Sequence, residues 1–223
     1  MRRKLKAGGW RRDFYVFVVT NVPEDSGRLT TYEMLNAVGQ AEHMPKVDKS
    51  AQGVSPDSAD TKALRRKDLE GMSIVVCTLC VSGQQFFESK GYETGGVDSM
   101  GFPTVAFTEP YAKTIYKSIY VHSKLLLVDD VFFTIGSANI NVRSMEVDSE
   151  LNIAVPSPSV TQEWRRHLWR LHTGRAPGDN MKDEFKAWRE IIDKNADERD
   201  AGRPLPSTLI EFFDDAASGS RAD

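Results

Sequence analysis

The run "SIVVCTLCV", residues 73–81, is apolar at nearly every position and rich in β-branched side chains. A strand with one wet face alternates apolar and polar residues, so a run without alternation is a strand covered on both faces. The run "FYVFVVT" at 14–20 reads the same way. Such strands require helices on either side, and helical candidates lie at 31–42, 60–70, 161–171 and 182–193. Thr30 or Thr31, with Glu33 close behind, supplies a helix start. Further strands are expected at 119–128, 131–135 and 150–155. Alternating β and α segments predict an α/β fold, a sheet sandwiched by helices.

Between these elements, residues 44–59 are rich in Ser, Asp and Pro and predict a loop. Residues 84–118, with Gly91, Gly95, Gly96 and Gly101, predict a second long connection. After Gly174 the chain turns strongly charged, and "NADERDAGRPLP" reads as a linker. The expected organisation is a domain over 1–173 and a charged helical C-terminal extension over 174–223. The opening "MRRKLKAGGWRRDF" imitates a signal peptide, but its apolar run is short and no small-residue cleavage site follows. It also fits poorly as the natural start of a domain, because a strand follows almost at once.

No stretch of about 18 uninterrupted apolar residues occurs, so no membrane-spanning helix is expected. The net charge of −3 gives no global positive field, and nucleic acid is not expected as a partner. Cys77 and Cys80 form a CxxC without the second ligand pair of a structural zinc site. They lie in a strand-like run rather than at the start of a helix, and read as buried free thiols.

The segment "VHSKLLLVDDVFFTIGSANINVRSMEVDSELNIAV", residues 121–155, carries polar groups that packing does not require. In a strand, His122 and Lys124 project to the same side. Asp129 and Asp130 stand where the chain must turn. Gly136 permits close backbone approach, Ser137 and Asn139 add hydrogen-bonding groups, and Glu150 opens the next apolar run. Each has an ordinary reading alone: a solvated histidine, a turn, a loop. Together they do not, since HxKxxxxD arises by chance in roughly 1% of chains this long, and GSxN at a set distance makes it far rarer.

That pattern, His122-Ser123-Lys124 to Asp129 and then Gly136-Ser137-Ala138-Asn139, resembles the HKD signature of the phospholipase D superfamily. Glu150 stands eleven residues after Asn139, where the family often has a carboxylate that orients the histidine. The extended form "GSANIN", then "RSM" and "DSE", is similar to phospholipases D proper more than to the superfamily's nucleases. "WRRHLWRLHTG" resembles the helix that often follows their second HKD motif. The wording is most similar to the C-terminal half of bacterial phospholipase D effectors of type VI secretion. The resemblance implies a phospholipase D-like fold with a single HKD half. It implies catalytic residues His122, Lys124, Asp129, Asn139 and Glu150, with phosphate held by Lys124, Ser137 and Asn139. It implies a phosphohistidine intermediate, no cofactor and no metal, and phosphatidic acid and a head-group alcohol as products. It also implies a membrane phospholipid as substrate, cytoplasmic location in a producing bacterium with export lacking a signal peptide, and an immunity protein as partner.

The chemistry asks for more than the chain supplies. Metal-free phosphodiester hydrolysis needs a nucleophile, an acid for the leaving alcohol, and positive charge around phosphate. Lys124 is the cation, Ser137 and Asn139 can donate to phosphate oxygens, and Glu150 can hold an imidazole nitrogen. One histidine cannot be nucleophile and acid for the same leaving group. His43, His167 and His172 lack a lysine two residues on. The site must therefore be completed by a missing N-terminal HKD half or by a second identical subunit. "RSM" and "WRRHLW" favour the half-enzyme, with His122 as the acid. The alternatives are an HKD nuclease acting as a homodimer, or a catalytically incomplete fragment or binding module. An isolated monomer is expected to be inactive, with an open basic half-site flanked by apolar surface.

Overall fold

The computed structural model of the chain describes residues 13–59, 69, 71–88, 90–97 and 99–217. Along the chain the strands are β1 (Phe14–Val19), β2 (Met72–Phe87), β3 (Gly91–Val97), β4 (Pro103–Phe107), β5 (Tyr111–Ile119), β6 (Leu125–Val128), β7 (Phe132–Gly136), β8 (Asn152–Val155) and β9 (Leu209–Glu211). The helices are α1 (Asp25–Ala37), α2 (Pro45–Ala51), α3 (Val142–Glu146), α4 (Pro158–Thr173) and α5 (Met181–Asp200), with a 3-10 turn at Ala41–His43. The helix expected at 60–70 falls, but for Leu69, outside the described residues.

The α/β sandwich is built around β2. Strand β1 runs parallel to it, from Phe14 opposite Met72 to Val19 opposite Cys77. Because side chains alternate along a strand, Ile74 and Val76 turn to one layer, against Tyr32, Leu35, Met44 and Val47 of the α1–α2 region. Val75, Cys77 and Leu79 turn to the other, against Trp169, Trp188 and Ile192 of α4 and α5. Both faces are covered, which is why the run carries no polar alternation. Cys77 and Cys80 are buried free thiols, and burial pushes both thiols up from their ordinary range.

Four expectations change. Residues 44–59 contain α2, which starts with Pro45 at its first turn, buries Val47, and holds Asp48 to the Tyr32 hydroxyl at 2.8 Å. Residues 84–118 are strand for most of their length, since antiparallel backbone pairing closes them into a hairpin. The supposed linker begins inside α5, where Asn195 is wholly buried and donates to the Leu209 carbonyl at 2.6 Å. Beyond it, β9 pairs with β2 at Cys77–Leu79. Leu209 and Phe212 are fully buried there. The segment after Gly174 thus shares the core of β2.

The fourth change bears on function. The expected strand 119–128 is two strands, β5 and β6, separated by residues 120–124. The cause is Asn21, just past β1, whose side-chain amide donates to the Val121 carbonyl at 2.7 Å and accepts from its amide at 2.6 Å. A side chain takes the place of a neighbouring strand, and the ladder stops.

Candidate active site

Strands β6, β7 and β8 form a separate antiparallel sheet in which Leu125, Ile135 and Ile153 stand in one row. Asp129 and Asp130 make the turn between β6 and β7. Both have positive φ, 47° and 54°, and the Val131 amide closes on the Val128 carbonyl at 3.0 Å. Positive φ at both central positions is the hairpin turn whose twist suits the flanking strands, and Asp tolerates it better than most residues. Asp130 is then clamped by Arg165 of α4 through two bonds, at 2.5 and 2.7 Å. The pair holds the Asp130 carboxyl below its ordinary value. Trp164 stacks on Phe133, with ring centroids 5.3 Å apart. The hairpin is therefore seated on α4 by one ion pair and one ring pair.

Gly136 sits where only glycine fits. A Cβ there would lie 2.0 Å from Asn152 Oδ1 and 2.2 Å from the Leu151 carbonyl oxygen. This close approach lines up the polar groups. The Gly136 amide donates to the Lys124 carbonyl at 3.2 Å, and the Ser137 amide donates to the Leu151 carbonyl at 3.1 Å. The Ser137 hydroxyl donates to Glu150 Oε2 and accepts from the Leu151 amide at 3.0 Å. Ser137 and then Ser144, with the charge of Lys124, hold the Glu150 carboxyl below its ordinary value. Ser144 is itself fixed at the start of α3, where its amide donates to the Asn141 side chain at 2.8 Å.

Lys124, Ser137 and Glu150 are thus brought together. The His122 imidazole and the Asn139 side chain are exposed nearby in the chain and make no hydrogen bond to that group among the described residues. The His122 ring stacks on Tyr120 at 5.9 Å, and its carbonyl accepts from Lys124 Nζ at 2.8 Å. Glu150 engages hydroxyls rather than the imidazole, since Ser137 is fixed against it by the Gly136 approach. Asn139 makes no side-chain hydrogen bond among the described residues; its carbonyl accepts from the Asn141 amide at 3.0 Å. Asp129 is exposed in the turn, away from these contacts. Ser144 is the serine of "RSM", whereas Asn21 and Tyr120 carry no sequence signal that ties them to the motif. Only the weak cue of Asn after a strand marks Asn21.

Among the described residues, no three His, Cys, Asp or Glu side chains gather as a metal site would require. No described helix is long and apolar enough to cross a membrane.

Residues 104–172, which contain this whole arrangement, match the family model described as "Cardiolipin synthase, PLD-like domain". This stretch is phospholipase D-like. It is similar to phospholipase D alpha 4 of Arabidopsis thaliana, 39% identical over 84 residues, covering 31% of this chain and 11% of that protein. Phospholipase D alpha 1 of Cynara cardunculus is 33% identical over 113 residues, covering 42% of this chain and 14% of that protein. Phospholipase D delta of Arabidopsis thaliana is 37% identical over 81 residues, or 36% of this chain and 9% of that protein. The phospholipase D-like stretch thus corresponds to about a tenth of each plant enzyme.

Proposed function

We propose that the chain supplies one half of a phospholipase D-type phosphodiesterase site, with His122 as general acid and a second HKD half providing the nucleophile. One observation carries the reading: Lys124, Ser137 and Glu150 gather at the open end of the HKD hairpin, inside the phospholipase D-like stretch.

In this scheme the partner's imidazole attacks phosphorus and forms a phosphohistidine while the bond to the head-group oxygen breaks. His122 gives that oxygen its proton and later takes one from water, whose oxygen displaces the partner histidine and leaves phosphatidic acid. An alcohol can replace water in the second step, in line with the synthase named in the family description. Lys124 and Asn139 stabilise the phosphate charge, and Ser137 holds Glu150 in place. Glu150 orients His122 if the imidazole swings from Tyr120 toward it when the site closes. Action at a target membrane after type VI export, opposed by an immunity protein, belongs to the same reading and rests on the wording of the HKD segment.

The test mixes the chain, with and without an upstream HKD half, with vesicles of phosphatidylethanolamine or phosphatidylglycerol and, separately, plasmid DNA. Phosphatidic acid is expected with the second half present and with a chelator added. Cleavage of DNA alone contradicts the lipase reading, loss of activity to the chelator contradicts the metal-free chemistry, and inactivity on every substrate leaves a binding module.

A further inference from the structure

Helix α4 covers the three-stranded sheet at one end only. Phe133, stacked on Trp164, is 7% exposed, whereas Ile135, two residues farther from the Asp129–Asp130 turn, is 38% exposed. Between α4 and the pair of Leu125 and Ile135 a cleft of about 620 Å³ stays open. That is the size of a small-molecule pocket. None of Lys124, Ser137 and Glu150 lines it, so the candidate active site does not use it.

The lining has an apolar part and a charged part. Leu125, Ile135 and Leu168 supply the first. Along α4, Glu163, Arg166, His167 and Arg170 supply the second, at spacings of three and four that put them on one helical face. Arg28, Arg165 and Arg175 each hold a carboxylate. Arg166 and Arg170, in contrast, make no side-chain hydrogen bond or ion pair among the described residues. Asp130, whose carboxyl Arg166 helps to hold down, is already bound by Arg165 through two bonds. Glu163, the carboxylate of the cleft, pairs with neither arginine. Like charges one turn apart work against a helix, and an anion that bridges them removes the repulsion. Four residues of helix separate the two by about 6 Å, within reach of a single phosphate. The planar guanidinium fork matches phosphate oxygens in pairs.

We infer that this cleft binds a phosphate-headed amphiphile, its phosphate bridging Arg166 and Arg170 and its acyl chain lying on Leu125, Ile135 and Leu168. Free phosphate leaves the apolar wall bare, and a lipid without net charge leaves the two arginines unmatched. Phosphatidic acid, which the proposed reaction releases, has both parts. The inference rests on the phospholipase reading for the sense of that ligand, but its test needs no turnover.

Isothermal titration calorimetry of the intact chain compares dihexanoyl phosphatidic acid, dihexanoyl phosphatidylcholine and inorganic phosphate, with both lipids below their micellar concentrations. The phosphatidic acid is expected to bind about tenfold or more tightly than either of the others. Arg166→Gln/Arg170→Gln should weaken it about tenfold or more, with circular dichroism unchanged, since both residues are exposed. Ile135→Thr should weaken phosphatidic acid about threefold and leave inorganic phosphate unmoved. Lys124→Ala should alter neither. No binding, equal binding by wild type and the double arginine variant, or equal affinity for phosphatidic acid and either other ligand overturns the proposal. So does loss of binding in Lys124→Ala, which would place the lipid in the catalytic half-site. A ligand-free dimer that Ile135→Thr dissolves also overturns it, by assigning the cleft to a second copy. Binding that needs both arginines, without phosphatidic acid release by the chain completed with a second half, would instead defeat the catalytic reading and leave this one standing.

Discussion

The first part of β2, residues 72–80, and the β6–β7–β8 sheet are both greasy in sequence and opposite in surroundings. Along β2, Ile74, Val76 and Cys77 are almost fully buried, because helices cover both faces. In the three-stranded sheet, Leu126, Ile135 and Ile153 remain 56%, 38% and 63% exposed. The first run is explained by the chain's own packing. The second is held by a turn, an ion pair and a ring pair to α4 and one glycine contact, and beyond the buried Phe133 several of its apolar side chains stay open. Apolar sequence shows where a strand forms, but burial depends on what else arrives.

The largest contrast should appear on truncation. Phe212, fully buried against Ile74 and Val76, should cost about 3–5 kcal/mol as Phe212→Ala in denaturant unfolding. Leu126→Ala should change stability by no more than about 0.5 kcal/mol. Equal losses would break the comparison. Under the proposed function the β6–β7 hairpin contributes to chemistry, so Lys124→Ala should lower turnover of the completed enzyme by about 10²–10³-fold, with the unfolding midpoint nearly unmoved.

Between these extremes stands Gly136→Ala. Its Cβ meets the backbone of β8, so the strands must part, at about 1–3 kcal/mol by thermal unfolding. Activity should fall with it, since Ser137 and Lys124 are set by that approach.

The smallest effect concerns acid. Burial pushes the Glu184 carboxyl up, but Arg175, the Gly178 amide and the Trp169 indole outweigh it and leave it below its ordinary value of 4.5. A depressed carboxylate contributes stability that is full above the ordinary value and is lost as pH falls through the lower, folded-state value. Glu184→Gln should therefore be less stable than wild type at neutral pH, and the gap should close below pH 4.5. A gap constant with pH would mean that the lost contacts are not electrostatic.

Much of the fold could be read from the chain, because double-sided burial leaves a continuous apolar run and α4 and α5 lay near their expected spans. The long hairpin could not. Solvent on both faces of a ribbon removes the period-two pattern, and its glycines then read as loop. Helix α2 escaped notice because seven residues burying one valine leave no helical period. At the site, HxKxxxxD and GSxN stood out by spacing alone. The bridge from Asn21 to Val121 did not, being a contact across a hundred residues. Nor did the choice of Ser137 over His122 as the partner of Glu150, which depends on how closely Gly136 approaches β8.

The central claim, that the open sheet is half of a site, meets its most direct test in size-exclusion chromatography paired with a phosphatidic acid release assay across protein concentrations. The expected result is a monomer with negligible turnover, and activity that appears only with an upstream HKD half or with dimer formation. Full turnover by a strictly monomeric species would contradict it.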